Sequence, residues 1–342
     1  MQKVLSELRL SKDIKRMLKK SRSLKLLQHY FSHILHGRKI YLRLLEKYGC
    51  DARIYVNHYP GTGDIYITTS LLPTWAEKNG ITQYVATVIG KSGYKVAKMF
   101  PIDNVEILTK RETEDLLHYL QTIGETEPNI EVLHFTPFAF HQKIIEALLG
   151  VNGSNFMDMY LNITFPGLTL DDMMPVAEQS SDEEIAAVFK EKGLFPGNTI
   201  VLVPYANTID PLSEQFWSYL ADGFKKKGYT VCTNCNYPAE AKIPGTIPVF
   251  LPYNKLKKFV ETAGTIIQLR SGLTDLLYDC NCKNYVLYPI ENFFRFGSAS
   301  LYEYFSLERM GISERVTEIE FSRRNENKIC EQILKEYCTL AN

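Results

Sequence analysis

The sequence predicts an α/β protein of two doubly wound parallel sheets, preceded by a basic helical segment. Three observations predict it. Short apolar runs alternate with helical patterns over residues 51–150 and again from Thr199 onward, as βαβ units do. Residues 151–180 interrupt that rhythm with a mostly polar run holding Pro166, Gly167, Asp171, Asp172 and Pro175, which reads as an inter-domain connection. Charge is also unevenly spread: residues 1–50 carry 13 Lys/Arg against 3 Asp/Glu, so the formal net of +0 hides a basic start of +10 and an acidic body of −10. The expected division is a basic amphipathic segment over 1–50, a first domain over 51–180 and a second over 181–342.

Within residues 1–48 the apolar side chains of Leu5, Leu8, Ile14, Met17, Leu18, Leu24, Leu27, Tyr30, Phe31, Ile34 and Leu35 recur at helical steps, with Lys12, Lys15, Arg16, Lys19, Lys20, Arg22 and Lys25 between them. Such a helix suits an anionic membrane surface, apolar face down; an ordinary helix packed on the body, or one that binds a protein partner, has the same pattern. From Asp51 the elements follow in order. Strand Ala52–Asn57 leads through the glycine-rich turn Tyr59–Asp64 to helix Ile65–Asn79. Next come strand Tyr84–Ile89, helix 92–99, strand Val105–Leu108, helix 111–123, strand Glu131–Phe135 and helix Phe140–Leu149. In the second domain Ser181 and Glu184 have capping-box spacing and open a helix that ends at Gly193. Strand Thr199–Val203, helix 213–227, strands Thr230–Thr233 and Ile247–Phe250, helix 254–263, strand Thr265–Gln268, helix 273–279, strand Tyr285–Tyr288 and a terminal helix near 325–340 complete the series.

Composition bounds the function. A length of 342 residues with 45% apolar content supports about two globular domains. No run of about 18 apolar residues occurs, so no membrane-spanning helix is expected, and no cleavable leader pattern opens the chain. Seven cysteines, an odd number, fit a reducing cytosol. Overall neutrality argues against nucleic acid as a partner. Cys232/Cys235 and Cys280/Cys282 could suggest zinc, but the first pair ends one strand and the second precedes another, which puts them at opposite sheet edges.

In open parallel sheets ligands gather at the carboxyl ends of the strands. Three segments fall there: His58-Tyr-Pro-Gly-Thr-Gly-Asp64, Pro204-Tyr-Ala-Asn207 and Arg270-Ser-Gly-Leu-Thr-Asp275. Glycines let a backbone approach a ligand, and helix N-terminal amides attract anions. Asp64 can equally be a helix-capping carboxylate, and any βα turn favours Ser, Gly and Thr.

Three features, in this order and spacing, resemble the bacterial heptosyltransferase-like glycosyltransferases (glycosyltransferase family 9). They are Arg53-Ile-Tyr-Val running into Gly63-Asp64 and an apolar helix, Gly193-Leu-Phe-Pro-Gly197 before strand Thr199–Val203, and Arg270–Asp275. The likeness covers roughly residues 51–300. It implies the GT-B fold of two Rossmann-like domains facing a cleft, the first for the acceptor and the second for a nucleotide-sugar donor. It implies that Asp64 is the general base, that Ser271, Gly272 and Thr274 hold the donor diphosphate, and that Tyr205 and Asn207 face that diphosphate. Leu251, Pro252 and Tyr253 would then border the nucleobase, while His58, Thr62, Gly63 and His134 would lie toward the acceptor; His134 and His141 suit structural roles as well.

The chain departs from the family where the signature aspartate is Arg270 and the signature histidine is Asp275. The lysine usual after the loop that matches Pro204–Asn207 is missing, with Asp210 nearby. A guanidinium at 270 can pair with a diphosphate or an acidic sugar, or form a structural ion pair. No Asp-x-Asp triplet occurs, so no metal or other cofactor is expected.

The reading is therefore an inverting, metal-independent glycosyltransferase of cell-envelope polysaccharide synthesis, cytoplasmic and peripheral on the inner face of the membrane. It would use a nucleotide-sugar donor, UDP-sugar being the commonest class, and a glycan or lipid-linked acceptor. A nucleotide-sugar epimerase of the same fold, or a degenerate membrane-peripheral scaffold, are the alternatives.

Overall fold

The computed structural model describes residues 22–123, 129–134, 154–176, 180–207, 209–235, 243–290, 300–313 and 315–339. The expected helix Phe140–Leu149, His141 and the basic residues before Arg22 lie outside these. Two compact units are present: one of residues 1–60 and 68–142, the other of 61–67 and 143–342. Residues 151–180, read from sequence as a connection, thus group with the second unit.

The first unit begins with helix α1 (Arg22–Tyr48) and strand β1 (Arg53–Val56). Helix α2 (Thr62–Lys78), whose first turns belong to the second unit, leads to β2 (Tyr84–Ile89), α3 (Gly90–Ala97), β3 (Val105–Leu108), α4 (Lys110–Ile123) and β4 (Ile130–Val132). The sheet order is β3-β2-β1-β4, all parallel. Its central residues Ile54, Tyr55, Val56, Val85 and Val88 are buried, as apolar runs covered on both faces must be.

Helix α1 is not a separate segment. Ile40, Tyr41 and Leu44 pack into one core with Ile54, Val56, Val85, Leu108, Leu116 and Tyr119. Burying each such side chain contributes about 1.5–3 kcal/mol, so this stretch is held as part of the domain, with charges left outside. Gly37 makes the packing close: a Cβ there would lie 2.0 Å from the Asp115 carbonyl oxygen on α4. At the solvent rim Arg43 reaches Glu112 at 3.1 Å and Lys47 reaches Glu106 at 2.7 Å.

The second unit contains α5 (Phe156–Met159), a single π-helical turn Tyr160–Thr164, α6 (Asp182–Lys192), β5 (Thr199–Val203), α7 (Glu214–Lys226), β6 (Thr230–Asn234) and β7 (Ile247–Val249). It continues with α8 (Tyr253–Ala263), β8 (Gly264–Leu269), α9 (Gly272–Leu276), β9 (Lys283–Pro289), α10 (Leu301–Phe305), β10 (Val316–Phe321) and α11 (Glu326–Thr339). The parallel sheet runs β10-β9-β8-β5-β6-β7. Numbered within this unit, that is the doubly wound order 3-2-1-4-5-6 read from its β7 edge.

Four differences from the sequence expectation stand out. Residues 156–164 are helical rather than connecting. The helix expected over 273–279 stops at Leu276. Helix α10 and strand β10 were not anticipated. The core is otherwise apolar as expected, with Trp217, Phe216 and Phe224 of α7 fully buried against the sheet and α11.

Candidate active site

Chain order reverses between β5 and β8, and the loops leaving these two strands, Pro204–Asn207 and Arg270–Ser271, are where such a sheet places a ligand. The second loop is built from internal polar contacts. Ser271 caps α9: its Oγ accepts from the Leu273 amide at 3.3 Å, and its own amide donates to Thr274 Oγ1 at 3.1 Å. Thr274 in turn donates to Gln268 Oε1 at 3.1 Å, and Gln268 Nε2 donates to Asn284 at 2.9 Å. Both hydroxyls expected near a diphosphate therefore already serve the loop itself.

Arg270 takes the structural alternative. Its guanidinium forms a bidentate pair with Asp275, donates through Nε to the Phe305 carbonyl at 3.1 Å and through Nη1 to the Ser271 carbonyl at 2.6 Å, and lies 5.2 Å from the Phe305 ring centroid. Burial alone would lower the Arg270 pKa, but the facing Asp275 raises it above the ordinary value, so the guanidinium stays charged. Burial pushes the Asp275 carboxyl up, Arg270 pulls it back, and the nearby Asp64 charge adds to the rise.

Thr62, Gly63 and Asp64 sit in the first turn of α2, which belongs to this same unit. There the glycines are explained by packing. A Cβ on Gly63 would lie 2.2 Å from Asp275 Oδ2, and one on Gly272 would lie 2.5 Å from the Gly63 amide nitrogen. Two turns far apart in sequence thus meet backbone to backbone. Half-buried Asp64 accepts from Tyr160 Oη at 2.8 Å on Oδ1, and a Cβ on Gly61 would meet its Oδ2 at 2.5 Å. Tyr160 was missed from sequence because it lies in the polar stretch read as a connection.

The remaining expected donor residues occupy other loops of the same sheet. Tyr205 and Asn207 follow β5, with Tyr205 half-buried and Asn207 exposed. Leu251 and Pro252 follow β7, Pro252 takes the N-cap position of α8, and Tyr253 is its first residue. Asp210 pairs with Arg323 at 3.3 Å.

In the first unit, reversal falls between β1 and β4. His58 and His134 leave those two strands and meet edge to face at 5.0 Å, with Tyr59 against His134 at 4.3 Å. Asn57 is buried at 3% exposure; it accepts from Thr68 Oγ1 at 2.6 Å, while its Nδ2 has no hydrogen-bond partner. This buried amide was not singled out by sequence reasoning, since a lone strand-end asparagine has no pattern. Cys232, Cys235 and Cys280 are buried, and among the described residues no group of three or more His, Cys, Asp or Glu gathers for a metal.

The two parallel sheets, of four and six strands, give the chain the GT-B fold. The chain is similar to the solved structure of E. coli ADP-heptose LPS heptosyltransferase II, with a TM-score of 0.55 and 14% identity over 84% of this chain and 98% of that one. It is also similar to a glycosyl transferase family 9 structure from Veillonella parvula, with a TM-score of 0.50 and 14% identity over 82% and 89%. No protein-family model and no curated protein matches the sequence.

Proposed function

We propose that the protein is an inverting glycosyltransferase of cell-surface polysaccharide synthesis, acting from a nucleotide-sugar donor on a glycan or lipid-linked acceptor without a metal. The observation that carries this reading is the carboxylate of Asp64 in the first turn of α2, hydrogen-bonded by Tyr160 and adjoining the Gly272 loop. In the reaction the acceptor oxygen forms a bond to the anomeric carbon and its proton passes to Asp64. The bond from that carbon to the diphosphate oxygen breaks, and the nucleoside diphosphate leaves with the electron pair. A base placed opposite the leaving group gives inversion, and its work is done in the transition state.

Ser271, Gly272, Tyr205 and Asn207 are the proposed donor diphosphate contacts, with buried Thr274 bracing the Ser271 loop from within, and Leu251, Pro252 and Tyr253 the proposed nucleobase border. Arg270 and Asp275 shape the loop from beneath. His58, Tyr59 and His134 supply aromatic faces, the chemistry a sugar acceptor prefers. Helix α1, with Arg38 and Lys39 exposed, and the residues before it are the proposed contact with an anionic membrane, on the cytoplasmic side. No described helix is long and apolar enough to cross a membrane.

The test is a thermal-shift screen of the purified protein against UDP, ADP, GDP and CMP, followed by turnover of the matching nucleotide sugars with and without EDTA. Asp64→Asn is expected to cut transfer to a small residual rate while leaving nucleotide binding intact. Full turnover by that variant would remove Asp64 as the base, and strict dependence on a divalent ion would overturn the metal-free mechanism.

A further inference from the structure

We infer that Tyr160 is the positioning residue of the Asp64 carboxylate, an inference that rests on the reading of Asp64 as general base. An aspartate side chain turns about two bonds, so a useful base has to be held in one orientation. Tyr160, fully buried, donates its hydroxyl to Oδ1 at 2.8 Å. The second oxygen, Oδ2, lies over Gly61, where any Cβ would come within 2.5 Å.

The tyrosine is itself braced. It begins the π-helical turn Tyr160–Thr164, a geometry rare in proteins and frequent at functional sites. Its ring meets Phe156 edge to face at 5.2 Å and 88°, and Phe156 packs on Phe305 at 4.9 Å. The Phe305 carbonyl accepts from Arg270 Nε, and its ring lies beneath the guanidinium. The orientation of the base is thus tied, through two aromatic rings, to the ion pair under the proposed donor loop. A residue 96 positions from Asp64 in the chain aims it.

Tyr160→Phe in the full chain removes one hydroxyl and keeps the ring packing. Turnover is read as nucleoside diphosphate released from a panel of UDP-, ADP- and GDP-hexoses, in the wild-type and Asp64→Asn backgrounds. The expected result is a kcat about 10- to 100-fold lower with KM little changed, and no further loss when the change is added to Asp64→Asn. An unchanged kcat, or an equal proportional loss in both backgrounds, would overturn the inference. Should Tyr160→Phe not fold, Gly61→Ala displaces the same carboxylate from its other side and is expected to lower kcat alike; an unaltered kcat there overturns it too. If the wild-type protein binds the nucleotides but releases nothing from any donor, the general-base reading fails, and the inference falls with it.

Discussion

Arg270 and Asp275 are joined by two hydrogen bonds, Nη1 to Oδ2 at 3.1 Å and Nη2 to Oδ1 at 2.6 Å, with neither side chain more than 4% exposed. Where the family that the sequence resembles carries its signature aspartate and histidine, this chain presents a sealed pair. Removing one partner leaves the other charged and dry. Arg270→Ala or Asp275→Ala should therefore cost about 3–5 kcal/mol, measured by urea denaturation, whereas the Arg270→Met/Asp275→Leu double change should cost much less. A single variant as stable as wild type would show the pair to be dispensable.

The contact between Gly63 and Gly272 leads to a second expectation. Alanine at either position drives a methyl into backbone or into Asp275, and overpacking of this kind costs about 1–3 kcal/mol. Once one alanine has pushed the turns apart, the second has less to displace. The double variant is expected to be more stable than the sum of the singles predicts, and strict additivity in chemical denaturation would contradict the close approach.

A third expectation concerns pH. Burial works to raise the Glu106 and Glu112 carboxyls. Hydrogen bonds from Lys47 and Tyr48 to the first, and from the Thr109 amide and hydroxyl and Arg43 to the second, overcome it, and both lie below the ordinary glutamate value. A carboxyl held lower in the folded state adds stability above its unfolded value of about 4.5, lost as pH falls through the folded value. Both sites are partly exposed, so each adds at most about 1 kcal/mol. Glu106→Gln/Glu112→Gln should lower the melting temperature at pH 6 and converge with wild type near pH 3; an equal deficit at both pH values would refute the assignment.

A fourth concerns the basic start of the chain. Deleting residues 1–45 would remove Ile40, Tyr41 and Leu44 from the first core and confuse docking with unfolding. Removing residues 1–21, with 7 of the Lys/Arg, leaves that core whole. The shortened protein is expected to lose co-sedimentation with vesicles containing phosphatidylglycerol, and equal sedimentation of both forms would refute membrane contact through this segment.

The alternation of apolar runs and helical patterns made most of the fold legible, because parallel strands buried on both faces have to be apolar along their length. Thr199–Val203, buried at every position, shows this directly, and the Ser181–Glu184 capping box forms as its spacing implies. Strand β10 escaped because Glu318 and Glu320 break its apolar run. Glu318 is kept there by donors that no local pattern reveals: the Tyr288 hydroxyl, Ser306 Oγ at 2.6 Å and the amides of Leu307 and Glu308. In the candidate site the strand-end turns could be read, since glycine, serine and aspartate mark them. What could not be read was the partner of each: Asp275 for Arg270, Gly272 for Gly63 and Tyr160 for Asp64. Those pairings are tertiary, and the residues themselves are common ones.

Backbone contact between the turns at Gly63 and Gly272 has an evolutionary consequence. Neither position can gain a side chain while the other turn stays where it is, so the two are expected to change together among relatives or not at all. A lineage that widened this spot would have to move both turns at once. Covariation of positions 63 and 272 with residue 275, whose carboxylate a Cβ at 63 would meet, is the trace such a change would leave.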